Sequence, residues 1–295
     1  MLSYTNCELC PRRCHADRTR GELGFCREPD HIYAARAAAH YWEEPVISGS
    51  FGSGAVFFSG CTLKCIFCQN SIISQQNLGK EITSEHLREI FLKLIDDGVQ
   101  NINLVTPTHF LPSILPALTP KLPIPIVYNC GGYERVETLR ELEGLIDIYL
   151  PDMKYSNESL AAKLSCAPDY VETAKAAIQE MYRQVGSAVI EDDIMQRGLI
   201  VRHLILPGEL DNTLGVLDWF AETFPKADVL FSLMSQYVPM GKAKKLPPYD
   251  RKITEEEYDA AISYLDFLGI ESGFTQDFTS ATEDYIPDFS FEGIE

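Results

Sequence analysis

The chain has 295 residues, 25 of them Lys or Arg and 43 Asp or Glu, for a formal charge of −18. Hydrophobic residues make up 45% and aromatics 11%, which excludes general disorder, and the length suits either two ordinary domains or one α/β barrel. So acidic a chain repels nucleic-acid phosphates, and its one short basic cluster, Lys242, Lys244 and Lys245, does not reverse that.

No apolar run reaches the roughly 18 residues of a spanning helix, and the first residues, MLSYTNCELCPRRC, lack the apolar stretch of a secretory signal. A cytoplasmic protein with no nucleic-acid or membrane partner is expected. Thiols stay reduced in that compartment, so the nine cysteines, several at short spacing, point to metal or redox chemistry rather than disulfides.

Residues 1–35 are a Cys-rich and Arg-rich segment with little periodicity. Short apolar runs then alternate with amphipathic stretches. The runs at 55–58, 102–105, 124–128, 146–150, 199–206 and 229–233 read as six buried strands. Helices are expected at 85–97, with Leu87, Ile90, Phe91, Leu94 and Ile95 on one stripe and Gly98 as stop, at 170–185, and at 255–268 before Gly269. Gly49, Gly52 and Gly54 precede the first strand and read as a turn, not a phosphate cradle. Strand and helix in alternation imply parallel strands with helical crossovers. The expected fold is α/β, a partial (β/α)6 TIM-like barrel over residues 36–277 behind a Cys-rich N-terminal metal-binding segment. Residues 278–295 are expected to be a solvated acidic tail, because 283–295 hold five acids and no base.

Directly after the first predicted strand comes Ser59-Gly60-Cys61-Thr62-Leu63-Lys64-Cys65-Ile66-Phe67-Cys68, a CxxxCxxC triplet. Loops at the C-terminal ends of parallel strands are where α/β sites form. Three thiolates can bind three irons of a [4Fe–4S] cluster and leave the fourth iron open. A zinc site completed by a distant His, or plain buried thiols, are the alternatives on spacing alone. A second group, Cys7, Cys10, Cys14 and Cys26, offers a complete four-thiolate shell for zinc or an auxiliary iron–sulfur cluster. Arg12, Arg13, Arg18, Arg20 and Arg27 would offset its charge, and His15 is a competing ligand. So short a segment draws folding energy from its metal. Cys130 sits on the predicted rim, and Cys166 reads as a plain thiol.

The CxxxCxxC triplet with Phe67 before its last cysteine resembles the signature of radical S-adenosylmethionine (SAM) enzymes, and its context resembles the subgroup related to pyruvate formate-lyase activating enzymes. The likeness runs from the N-terminal cysteines to about Asp277. It implies an enzyme, an activating-enzyme-like oxidoreductase, in which Cys61, Cys65 and Cys68 ligate a [4Fe–4S] cluster whose open iron chelates the methionine end of SAM. One electron then cleaves SAM to a 5′-deoxyadenosyl radical that abstracts hydrogen from a substrate, here a protein or peptide of the glycyl-radical-enzyme type. It also implies a low-potential electron donor such as flavodoxin or ferredoxin.

Residue by residue, the resemblance places Phe67 near the adenine. Thr106-Pro107-Thr108 stands where the family has a Gly-Gly-Glu-like segment, so Thr106 and Thr108 would hold the amino group without a carboxylate. Asn129-Cys130-Gly131-Gly132 replaces an acidic residue followed by Thr-Asn-Gly, and Asn129 can still bond a ribose or a carboxylate. Asp152-Met153-Lys154 matches an Asp-x-Lys motif that contacts the cofactor, and His203, in a strand ending Pro207-Gly208, is placed toward it. Asp152 with Lys154 also reads as a strand-end ion pair, and His203 as a core residue. Gln236 and Tyr237 are candidates for the substrate side. The reading from a different class is a non-catalytic iron–sulfur or zinc protein acting in electron transfer or protein interaction.

Overall fold

All six apolar runs form strands in the computed structural model, which describes residues 2–225, 227–282 and 287–295. In chain order the strands are β1 (Ile32–His40), β2 (Ser53–Phe58), β3 (Lys80–Ile82), β4 (Ile102–Val105), β5 (Ile126–Cys130), β6 (Ile148–Pro151), β7 (Val189–Glu191), β8 (Ile194–Leu204), β9 (Leu230–Met234) and β10 (Gly273–Thr275). They form one sheet in the order β10-β9-β8-β6-β5-β4-β2-β1-β3, with β7 hairpinned onto β8.

From β2 through β4, β5, β6 and β8 to β9 every pairing is parallel, and each strand lies beside its predecessor. A doubly wound sheet would reverse its strand order at a switch point. Sequential order without reversal is the partial (β/α)6 barrel expected from the alternation. The crossover helices form where the periodicity puts them. Ser84–Asp96 buries Leu87, Ile90, Phe91 and Leu94, starts where the Thr83 side chain accepts the His86 N–H, and is followed by Gly98 at φ +88. Tyr170–Val185 and Glu255–Leu268 match their expected bounds, the latter opening on a capping box of Thr254 and Glu257. Among the described residues no helix is long and apolar enough to cross a membrane.

The concave side of the sheet is filled from the segment after β1. The short helix Pro45–Ser48 inserts Ile47, fully buried, among Val127, Ile148, Leu150, Ile200 and Leu230. That apolar plug lies below the strands' C-terminal ends and carries Glu43 and Glu44 just ahead of it.

Two expectations at the ends of the chain need correction. The N-terminal segment does not stop at residue 35, because β1 already begins at Ile32 and pairs antiparallel with β2 and β3. The acidic C-terminal stretch is not a solvated tail over the residues described there. Ala37 N–H donates to Glu292 O at 2.8 Å, Phe291 N–H donates to Ala35 O at 3.2 Å, and Arg36 pairs with Glu292 at 2.8 Å. Phe289 and Ile294 are buried, and the Phe289 ring meets Phe57 edge-on at 5.6 Å. Asp288, Glu292 and Glu295 face out while these apolar residues pack against β1 and β2, so the hydrophobic residues of this segment, not its charge, decide its position. Residues 283–286 lie outside the described residues.

This packing makes Phe289→Ala cost about 3 kcal/mol in denaturant unfolding, as for a truncated core aromatic. A truly solvated tail would lose no more than about 0.5 kcal/mol.

Candidate active site

The C-terminal ends of β2, β4, β5, β6, β8 and β9 open into one cavity of about 640 Å³. Cys61, Cys65, Cys68 and Phe67 line it together with Thr106, Asn129, Cys130, Asp152, Lys154, Gln236 and Tyr237. The loop after β2 is held from several sides. Gly60 turns at φ +76 and its N–H donates to Ile73 O, Lys64 and Ile66 N–H donate to Ser165 and Leu164 carbonyls, and the Gln75 amide donates to Cys65 O at 2.8 Å. Each thiol has a local polar contact: Leu63 N–H donates to Cys61 Sγ at 3.3 Å, Ser165 Oγ to Cys65 Sγ at 2.9 Å, and Cys68 Sγ lies 3.2 Å from Ser74 Oγ.

Burial pushes the Cys61 thiol up to about 12 and the Cys65 thiol up to about 11, so metal binding here must release protons. Among the described residues no three Cys, His, Asp or Glu side chains are drawn together around a single ion. Three thiols spread along one wall still fit a multi-iron cluster, in which each thiolate binds its own iron.

The floor of the cavity is a charge network that the sequence reading missed. Arg202 on β8 donates through Nε to Asp152 Oδ1 at 2.9 Å, through Nη1 to Glu43 Oε2 at 3.0 Å and through Nη2 to Asn129 Oδ1 at 2.7 Å. Glu43 Oε1 also accepts from the Asn103 and Asn129 amides, and Lys154 pairs with the other Asp152 oxygen. Burial alone would raise the Asp152 carboxyl, but Arg202 and Lys154 outweigh it and hold it below its ordinary range. Burial raises the Glu43 and Glu44 carboxyls despite the guanidinium nearby. Glu44 lines the cavity, and its Oε2 is buried with no hydrogen-bond partner.

Two expected cofactor contacts do not reach the cavity. His203 is fully buried on the opposite face of β8, with Nδ1 2.7 Å from Met153 O and Nε2 3.0 Å from the Thr213 hydroxyl on the helix Leu210–Thr223. Neighbours in a strand point to opposite faces, so Arg202 facing the cavity forces His203 away from it. Thr108 is buried outside the cavity as well, donating to Glu134 Oε1 at 2.7 Å. Thr106, at φ +60, remains on the wall. In the N-terminal segment Cys7, Cys10 and Cys26 are buried and Cys14 is exposed, while His15 turns to Asn6 and Glu8. Cys166 is exposed and Cys130 is buried on the cavity wall.

Glu43 could not be found from local patterns, because its partner Arg202 lies 159 residues away. Arg202 had a signal: it stands one position before His203, in register with Ser232 and bridged to Asp152.

The family model of the Radical SAM superfamily matches residues 55–219. The chain belongs to the radical SAM superfamily. A curated relative, Uncharacterized protein MJ0674 of Methanocaldococcus jannaschii, is 34% identical over 278 residues, covering 91% of this chain and 76% of that protein. Among solved structures, Streptococcus suis SuiB bound to S-adenosylmethionine aligns with a TM-score of 0.51 at 15% identity over 76% of this chain, and this chain spans only 50% of SuiB. A domain of pyruvate-formate lyase-activating enzyme from Bacteroides vulgatus aligns with a TM-score of 0.38 at 13% identity, over 66% of this chain and 91% of that domain. The superfamily implies a [4Fe–4S] cluster and SAM, and this radical SAM enzyme presents three thiols on the wall of its main cavity.

Arg202→Met leaves Glu43 without its buried cation and Asp152 with Lys154 alone, and should cost about 3–5 kcal/mol. In a double-mutant cycle, Glu43→Gln should cost less in the Arg202→Met background than in wild type, whereas additive losses would mean that the pair is uncoupled. Burial also pushes Glu134 up from an ordinary 4.5 to about 7. Because the folded state binds that proton more tightly, its stabilisation is full below about pH 4.5 and is lost as pH rises through 7, on the order of 3 kcal/mol. Urea unfolding from pH 4.5 to 8 should show Glu134→Gln lacking that decline.

Proposed function

We propose that this radical SAM enzyme abstracts hydrogen from a protein or peptide, at a glycyl or side-chain position, as an activating-enzyme-like oxidoreductase. The observation that carries this reading is the shared wall: Cys61, Cys65 and Cys68 face the same cavity as Asn129, Asp152, Lys154 and Arg202. Bound at the three cysteines, a [4Fe–4S] cluster would supply the electron that cleaves SAM and so yields the 5′-deoxyadenosyl radical.

The chain's own residues orient the cofactor. Phe67, its ring centroid 5.9 Å from that of Tyr237, offers an aromatic surface for the adenine. Lys154 supplies a point charge for a carboxylate, and its pairing with Asp152 keeps it charged although burial opposes this. The Thr106 and Asn129 side chains provide neutral polar groups where the family has acids. Arg202 fixes the Asp152 and Asn129 side chains in place and so acts as a positioning residue.

A cavity of about 640 Å³ suits one cofactor-sized ligand with a small reacting group beside it. Most of the substrate would then lie outside, across the exposed Tyr41 and Trp42 at the rim. Aromatic side chains of this kind are favoured where polypeptides are bound. Glu44, with its unpartnered carboxyl oxygen, offers that reacting segment a polar contact inside. A low-potential donor such as flavodoxin or ferredoxin would deliver the electron.

After anaerobic reconstitution and reduction with SAM, wild type should form 5′-deoxyadenosine and Cys65→Ala should form almost none; equal amounts from both would overturn the cofactor assignment. Deuterated cell extract, split by size, tests the substrate class. Deuterium should enter 5′-deoxyadenosine from the polypeptide fraction, and transfer from the small-molecule filtrate alone would refute a polypeptide substrate.

A further inference from the structure

Arg18 is 1% exposed, yet among the described residues no carboxylate forms an ion pair with it. Its guanidinium donates to the Pro29 and His109 carbonyls, the latter at 2.6 Å, and Nη1 lies 3.9 Å from Cys7 Sγ. Glu28, also buried, gives its Oε1 to the Asn77 amide instead. Carbonyls satisfy the N–H groups, and the Tyr4 ring lies 4.5 Å from the guanidinium, but Glu28 meets the charge only from a distance, and a buried charge is costly unless an opposite charge pairs with it.

Arg12, half-buried, also meets a carbonyl and a ring rather than a carboxylate. Its Nε donates to Thr62 O at 2.9 Å, its guanidinium lies 3.8 Å from the Phe25 ring centroid, and its Nη2 is buried with no partner. The cysteines lie among these groups: Cys7 Sγ is the thiol 3.9 Å from Arg18 Nη1, the N–H of Phe25, whose ring Arg12 covers, donates to Cys14 Sγ at 3.1 Å, and the His15 N–H donates to Cys7 O at 3.0 Å. Residues 2–31 contain only one short helical turn, Arg18–Arg20, and are otherwise held by turn and loop hydrogen bonds such as Cys7 N–H to Ala16 O and Arg18 N–H to Tyr4 O, with no sheet or long helix to order them.

The segment is set against the loop that carries the first three thiols. A Cβ on Gly60 would come within 3.1 Å of Cys26 O, and Gly60 directly precedes Cys61. Arg12 grips the carbonyl of Thr62, which follows Cys61.

We propose that Cys7, Cys10, Cys14 and Cys26 hold a second iron–sulfur cluster, whose negative charge balances the buried Arg18 and which packs against the Cys61–Cys68 loop. Four thiolates are a complete cluster shell. Among the described residues no three ligating side chains converge on a single ion, at these thiols as at Cys61, Cys65 and Cys68. The site does not depend on the substrate assignment.

The test removes the first site. Cys61, Cys65 and Cys68 are replaced together by Ala, and the chain is reconstituted anaerobically with iron and sulfide in the presence of zinc. The folded variant should retain about four irons per chain and give a reduced-cluster EPR signal. About one zinc without iron, or no metal at all, overturns the proposal. If that variant does not fold, Cys14→Ser in the otherwise native chain replaces an exposed thiol and should lower iron from about eight per chain toward four; unchanged iron with an unchanged EPR spectrum overturns it. The charge pairing has its own readout. Arg18→Met should shift the midpoint potential of the second cluster to more negative values, because the guanidinium favours the more negative reduced form, and Arg18→Lys should retain most of the native potential. An unaltered potential in folded Arg18→Met excludes the pairing.

Discussion

Arg202 places a full positive charge at the floor of the cavity, and the arrangement of the site follows from meeting that charge. Its three donor groups reach β5 through Asn129, β6 through Asp152 and the segment after β1 through Glu43. Any one of these partners alone would leave the others buried and unsatisfied. Together they tie neighbouring strand ends to a segment that also joins the barrel through the apolar plug at Ile47 and the hydrogen bond from the Asn101 amide to Ile47 O. Shape and charge therefore depend on each other here: the plug brings Glu43 to Arg202, and the ion pair keeps the plug seated.

The same network also brings acids to a cavity whose strand-end segments on β4 and β5 lack them. The segment after β4 carries Thr106-Pro107-Thr108, and β5 ends in Asn129-Cys130, both without carboxylates. Glu43 and Glu44 bring acidic side chains back to the cavity from a distant part of the chain. Glu43 is committed to Arg202, Asn103 and Asn129, whereas Glu44 keeps one oxygen unpartnered. The two neighbours therefore differ in role: one completes the floor, and the other remains open to a ligand.

What could be read from the sequence follows the range of the interaction concerned. The six parallel strands were legible because burial on both faces writes them as continuous apolar runs, and the Cys61–Cys68 loop because its ligands lie within eight residues. Strand β1 was not legible: its Ala-rich stretch has poor strand propensity, and it owes its conformation to pairing with β2 and β3. His203 was misplaced by one position, which in a strand is a change of face, and a neighbouring charged residue in the same strand, Arg202, was the better candidate for the polar side. Glu43 carries no local signal at all, since only the folded partial barrel brings it to Arg202.

The two chain ends solve related problems with different chemistry. Beyond β3, the sheet would expose the unpaired backbone of β1 at Ala35 and Ala37, a surface that invites further strand pairing. Glu292 O and Phe291 N–H occupy those positions, and Phe289 and Ile294 bury apolar area that offsets the cost of ordering the tail. The N-terminal segment has few such side chains to bury, and among the described residues neither Arg18 nor Arg12 forms an ion pair with a carboxylate, although Glu28 lies near enough to Arg18 to feel its charge. Hydrophobic burial accounts for the C-terminal end as it stands. The N-terminal end is held by polar contacts, Arg18 on the Pro29 and His109 carbonyls and Arg12 on that of Thr62, and the proposed cluster would add cohesion and a negative charge beside Arg18 once metal binding removes the thiol protons.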